Sequence, residues 1–157
     1  MIDLLLVLAT AAAIIDGLLA GAVLDYAVKQ LPARKSIGIV AYGRYFKASD
    51  FANGRFWYVP LGLSAYALNV LVAILAYSQN GMSSSTILFA LAAGCAVVHA
   101  FGTSQAVPAG LGFLRLEDGT EAILNKSFDR FAKWVVVRAI FGAPMFVAVL
   151  FGLVMLS

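Results

Sequence analysis

The chain has 157 residues, of which 62% are hydrophobic and only 12% charged, with a formal net charge of +3. A water-soluble domain carries about twice that charged share, so the composition excludes an ordinary soluble globular fold. The basic balance does not indicate a nucleic-acid partner either, because no basic-aromatic binding motif or separate soluble domain accompanies it.

Four apolar stretches absorb the excess, at residues 4–27, 57–78, 85–107 and 134–156. Each has the roughly 20 residues that cross a ~30 Å hydrocarbon layer. The expected fold is all-α, a polytopic membrane four-helix bundle making a single transmembrane domain over 1–157. The first stretch reads as a retained helix. Asp3 is its only early charge, no basic residue precedes it, and the run is too long for the apolar core of a signal peptide. Asp16 stands at its middle beside Gly17 and Gly21, a Gly-x-x-x-Gly spacing that lets a neighbouring backbone approach.

Segment 28–56 follows, with Lys29, Arg34, Lys35, Arg44, Lys47 and Arg55 against Asp50 alone. Its Tyr42, Tyr45, Phe46, Phe51 and Phe56 run on into Trp57 and Tyr58. Aromatics mixed with cations belong at headgroup level. The segment is therefore expected as an aromatic belt, part of it an interfacial helix. A lid over a pocket open to lipid is the competing expectation.

The second span carries Asn69, and the uncharged turn 79–84 leads to the third, which holds the lone Cys95 and His99. One cysteine makes neither an intramolecular disulfide nor a thiolate metal site. Segment 108–133 sets Arg115, Lys126, Arg130 and Lys133 against Glu117, Asp118, Glu121 and Asp129. Within it, "LRLEDGTEAIL" contains the Asp-Gly pair of a tight hairpin. Ile123, Leu124, Phe128, Phe131 and Val135 then recur at helical spacing, predicting an amphipathic helix that runs into the fourth span. There Pro144 is expected to bend the helix and free a carbonyl. Lys and Arg concentrate at one end of the bundle. By that asymmetry both long segments are cytoplasmic, with interfacial character, and both termini lie on the other side. A bacterial inner membrane is the expected location.

Depth sharpens the reading of the polar residues. At ~1.5 Å rise per residue, Asp16 lies about 16 Å from the cytoplasmic end of its span, His99 about 12 Å, Asn69 about 18 Å and Arg138 about 6 Å. One polar group per helix within a band of about 12 Å points to a shared interior site. A charge at the bilayer centre costs ~2.5–3.5 kcal/mol on insertion scales, so Asp16 needs a partner, a proton or a wet cavity. Arg138 and His99 are the cationic candidates. The plain structural alternatives are an Asp16–Arg138 ion pair that sets helix register and interhelical hydrogen bonds from His99 and Asn69. No nucleophile elbow, phosphate-cradling glycine loop or zinc-type histidine pair is present. No metal and no cofactor is expected.

Three stretches carry a resemblance: "DGLLAGAVLDYAVKQLPA", "TSQAVPAGLGFL" and "FDRFAKWVVVRAIFG". Together they resemble the anthrone oxygenase-like family of four-helix membrane proteins. The family's Gly-rich first helix ending toward a proline corresponds to Gly17, Gly21 and Pro32. Its Val-Pro after the third helix corresponds to Val107 and Pro108, and its Trp-x-x-x-Arg to Trp134 and Arg138. Many relatives have Asn after the Val-Pro and His beside the Arg, where this chain has Ala109 or Gly110, and Val137.

The resemblance implies oxidation of a lipophilic aromatic, an anthrone to an anthraquinone, by O₂ without metal or flavin. The residues suit that chemistry, which needs a general base and a stabiliser for the enolate oxygen in a dry pocket. His99, an imidazole able to accept a proton near neutral pH, is the expected base. Asp16 would orient it or neutralise Arg138, and Arg138 would hold the enolate oxygen. Asn69 and Trp134 are the expected substrate-binding residues. Membrane lipid and a lipophilic small molecule are the expected partners. The competing function is a non-catalytic membrane subunit or scaffold of a larger or homo-oligomeric complex. A proton-coupled transporter using Asp16 is disfavoured, because four spans show no internal inverted repeat.

Overall fold

The computed structural model describes residues 3–114 and 121–156. Its long helices are α1 (Leu4–Asp25), α4 (Arg55–Asn80), α5 (Ser84–Leu114) and α6 (Glu121–Val154). Two short helices, α2 (Leu31–Ile37) and α3 (Ile39–Phe46), lie between α1 and α4. They are joined to the long helices by wide π-helical turns at Tyr26–Gln30 and Lys47–Gly54. The chain is an all-α four-helix bundle, and four helices are long and apolar enough to span a membrane.

Each long helix buries one stripe. On α6 it runs Leu124, Phe128, Phe131, Val135, Ala139, Gly142, Met145, Val149, Gly152, the three-and-four spacing of a single helix face. The stripe on α1 is rich in alanine, at Ala9, Ala12, Ala13 and Ala20, so backbones approach closely. The outward faces carry large apolar side chains such as Ile14, Leu18, Ile74 and Phe151, as a hydrocarbon solvent requires. Around the bundle α1 packs on α4 and α6, and α5 packs on α4 and α6. Sequential neighbours are therefore adjacent, and α6 closes the ring onto α1.

Both long connections prove more helical than loop-like. α5 continues through Pro108 to Leu114, beyond the expected end of the third span. Proline there forgoes one backbone bond but does not end the helix, a tolerance common in membrane helices. The expected Asp-Gly hairpin falls on 115–120, outside the described residues. α6 starts at Glu121 and is ~51 Å long at the standard rise, so its first turns project beyond a ~30 Å layer. Leu124, Phe128, Phe131 and Val135 are buried as expected, whereas Ile123 is exposed.

That projecting end of α6 is what the 28–56 segment packs against. Tyr42 and Phe46 of α3 are fully buried. The Tyr42 ring meets Phe128 at 4.8 Å and the Phe46 ring meets Phe131 at 5.0 Å, both edge-on. Arg34 of α2 bonds Asp129 at 2.7 Å and lies 4.7 Å over the Phe128 ring. Tyr42 and Phe46 are thus core residues, not headgroup anchors, while Phe56 and Trp57 face outward as a belt would. Gly38, with φ +80°, makes the sharp break between α2 and α3, a backbone state costly for any residue with a Cβ. Gly81, at φ +59°, ends α4 in the same way and opens the short turn into α5.

Candidate functional site

The middle of α4 carries two polar residues three positions apart, on neighbouring parts of one face. Asn69 reaches α1. Its amide nitrogen donates to Asp16 Oδ1 and Oδ2, both at 3.0 Å, and to the Ala65 carbonyl at 2.8 Å. Two N–H groups serve three acceptors, so the carboxylate shares one of them. Asp16 and Asn69 are both fully buried, and Asn69 Oδ1 has no partner among the described residues.

Tyr66 reaches α5. Its hydroxyl lies 2.9 Å from His99 Nδ1 and 2.9 Å from Thr103 Oγ1. Thr103 Oγ1 in turn donates to the His99 carbonyl at 3.0 Å. The fully buried imidazole turns its other edge to α6. A Cβ added to Gly142 would stand 3.5 Å from His99 Cδ2, 3.7 Å from Nε2 and 3.8 Å from the Ala20 Cα. His99 Nε2 is buried and has no hydrogen-bond partner among the described residues.

Arg138 lies one turn from Gly142 toward the start of α6. Its aliphatic chain fits against Gly102, where a Cβ would come within 2.9 Å of Arg138 Cγ. Gly102 is three residues after His99, so the Arg138 chain packs on α5 about one turn from the imidazole's own position. Arg138 Nε is buried without a hydrogen-bond partner among the described residues.

The Asp16–Arg138 ion pair, one of the structural alternatives for these residues, does not form among the described residues; the donor to Asp16 is Asn69. Register explains this. Ala20 on α1 and Gly142 on α6 lie at one level, and the two helices run in opposite directions. Asp16 is one turn from that level toward the termini and Arg138 one turn toward the connectors, an axial gap of ~12 Å. Helical side chains lean toward their own N-terminus, so these two lean further apart.

Gly17 and Gly21 also divide. A Cβ on Gly17 would meet Phe146 at 3.1 Å, whereas one on Gly21 meets nothing within 4 Å, so only Gly17 serves close packing. Pro144 is exposed on the outward face of α6, while Gly142 and Met145 face the interior. The Trp134 ring packs edge-on against Phe101 at 5.6 Å with Lys133 5.8 Å over it, and no hydrogen bond ties it to His99 among the described residues.

Sequence reasoning did not single out Tyr66 and Thr103. A signal existed: Thr103 is four residues after His99, and Tyr66 three before Asn69. A second polar group sits nearer the connectors, where Tyr42 donates to Tyr26 at 3.1 Å and Tyr26 to Asp50 at 2.9 Å. Among the described residues no three His, Cys, Asp or Glu side chains gather closely enough to hold a metal ion.

Comparison with protein-family models, curated proteins and solved structures finds no match.

Proposed function

We propose that the chain is an integral membrane oxygenase of the anthrone-oxidising kind, with His99 as general base and Arg138 as partner of the developing oxyanion. One observation carries this reading: the unpartnered Nε2 of a fully buried imidazole whose other nitrogen is anchored. A buried polar atom left without a partner costs about 1–3 kcal/mol, a cost relieved when a ligand hydrogen fills the gap. The buried, unpartnered Nε of Arg138, one helical turn along α6 from the Gly142 that His99 faces, adds a donor.

In this reading the activated carbon of a lipophilic anthrone gives a proton to His99 Nε2, and its carbonyl oxygen gains charge opposite Arg138. The carbanion passes electrons to O₂ and a hydroperoxide forms on the carbon. Loss of the second hydrogen as a proton, with cleavage of the O–O bond, leaves the new carbonyl and releases water. The sum is CH₂ + O₂ → C=O + H₂O, so dioxygen supplies all four oxidising equivalents. Substrate would enter from lipid, which suits an aromatic of this class. Asp16, held by Asn69, supports the α1–α4 contact beside the site.

The test is O₂ uptake with emodin anthrone in nanodiscs, corrected for spontaneous autoxidation. His99→Ala should lower turnover by ~10²–10⁴, the usual worth of a positioned general base. A wild-type rate no higher than background removes the reading for this substrate, and a fully active His99→Ala removes the assigned base.

The second reading, a non-catalytic subunit or homo-oligomeric scaffold, is favoured by the Asp16–Asn69 pair, which links two helices within the protein alone. For either function we propose a bacterial inner membrane, with the Lys- and Arg-rich connectors cytoplasmic and both termini opposite. In a Cys95→Ser background, Lys35→Cys should label from the cytoplasmic side and Gln79→Cys from the other; the reverse pattern overturns the orientation.

A further inference from the structure

The three contacts around Tyr66 have only three hydrogens to share: one on Thr103, one on Tyr66 and one on the neutral imidazole. The His99 carbonyl can only accept, so its 3.0 Å contact takes the Thr103 hydroxyl hydrogen. Thr103 Oγ1 then has lone pairs alone to offer, and its 2.9 Å contact requires Tyr66 to donate. With the Tyr66 hydrogen committed, its oxygen can only accept at the 2.9 Å contact with Nδ1. His99 must be the donor there. No other assignment satisfies all three contacts. The alternative, in which Tyr66 donates to Nδ1, forfeits one of the two Thr103 contacts, since its single hydrogen cannot serve both Tyr66 and the carbonyl, and it turns Nε2 into a buried N–H without an acceptor.

We propose that Tyr66, backed by Thr103, is a positioning residue that holds His99 as its Nδ1–H tautomer, so that Nε2 presents a lone pair. The consequence for recognition is chemical. The ligand atom opposite Nε2 must carry a hydrogen, as a hydroxyl or an acidic C–H does. A carbonyl, ether or quinone oxygen is rejected at that point, so a quinone product would lose the contact that held its precursor. The inference deepens the reading of His99 as a base and rests on it for the identity of the ligand, while the tautomer itself stands on the hydrogen bonds alone.

His99 is the single histidine of the chain, so its ring nitrogens can be read without assignment. The experiment is nitrogen-15 NMR of histidine-labelled protein in nanodiscs at neutral pH, read from the ring shifts and their couplings to the carbon-bound ring protons. Wild type should show Nδ1 protonated and Nε2 bare. Thr103→Val keeps the side-chain volume but removes the acceptor behind Tyr66, so the population should move to Nε2–H. Thr103→Ser restores the hydroxyl and should keep the wild-type pattern, and Tyr66→Phe should lose it. A wild-type ring protonated at Nε2, alone or together with Nδ1, overturns the proposal, as does a pattern unchanged in both Thr103→Val and Tyr66→Phe. The spectrum needs no substrate. The expected tautomer together with no O₂ uptake would remove the oxygenase reading for emodin anthrone and leave the positioning role standing.

Discussion

Asn69 donates to both carboxylate oxygens of Asp16 at 3.0 Å, joining the middle of α4 to the middle of α1. An amide satisfies a buried carboxylate without bringing a second charge into an interior where each charge costs ~2.5–3.5 kcal/mol on insertion scales. The two partners are not equivalent. Asn69 also donates to the Ala65 carbonyl and keeps that bond if Asp16 is lost, whereas Asp16 has no other donor among the described residues. Asn69→Leu should therefore cost about 1–3 kcal/mol. Asp16→Leu should cost less, and the double variant should recover most of the Asn69→Leu loss. Thermal unfolding in one detergent would measure all three, and an Asp16→Leu protein weaker than Asn69→Leu contradicts this account.

Arg138 supplies geometry as well as charge. Lysine in its place keeps the charge but lacks Nε and the planar fork. Arg138→Lys should lower turnover of the anthrone by ~10²-fold, the worth of one well-placed oxyanion donor, with little change in unfolding temperature. Gly102→Ala should act on the same side chain, since its Cβ would stand 2.9 Å from Arg138 Cγ and displace it. Equal turnover in Gly102→Ala and wild type would separate the position of Arg138 from activity.

Two helix glycines should respond oppositely to alanine. A Cβ on Gly152 would come within 2.6 Å of Phe89 Cε1, and Phe89 is fully buried between α5 and α6. Gly152→Ala forces the ring or the helix to shift and should cost about 1–3 kcal/mol. Gly21→Ala meets nothing within 4 Å and should be neutral or slightly stabilising through helix propensity. The same unfolding measurement decides both, and a destabilised Gly21→Ala would reinstate the Gly-x-x-x-Gly contact.

The Arg34–Asp129 bridge holds the connector onto α6 but is partly open to solvent, with side chains 20% and 63% exposed. Its ion-pair part should be worth at most about 1 kcal/mol and should fall with salt. Stacking on Phe128 adds a part that persists when the carboxylate is gone. Arg34→Ala should therefore speed hydrogen exchange in 31–46 more than Asp129→Asn does, with the long helices unchanged. Equal effects would assign the whole contact to the ion pair.

The four spans were legible because crossing a hydrocarbon layer is a one-dimensional demand: enough consecutive apolar residues, and few charges among them. The turn 79–84 and the buried stripe Leu124, Phe128, Phe131, Val135 were legible for a similar reason, since both follow from local spacing. That Asp16, Asn69 and His99 turn inward could also be read from sequence, because a polar group in lipid carries its cost whatever surrounds it. Composition misled where two surfaces compete for the same aromatics. Tyr42 and Phe46 look like headgroup anchors, yet the projecting end of α6 offers them Phe128 and Phe131, and they are buried.

Partner choice belonged to the tertiary structure alone. As far as the sequence specifies, any donor at its depth can pair with Asp16. The rotation and register of α1 against α4 and α6 put Asn69 beside it and left Arg138 about two turns away along the axis. Tyr66 and Thr103 are ordinary hydroxyl residues until α4 and α5 pack, and then a chain of three hydrogen bonds determines which nitrogen of His99 is left free. Hydrophobic periodicity says which face of a helix turns inward. It does not say which residue of the next helix waits there, because that depends on axial offsets of a few ångströms set by all the contacts of the bundle together.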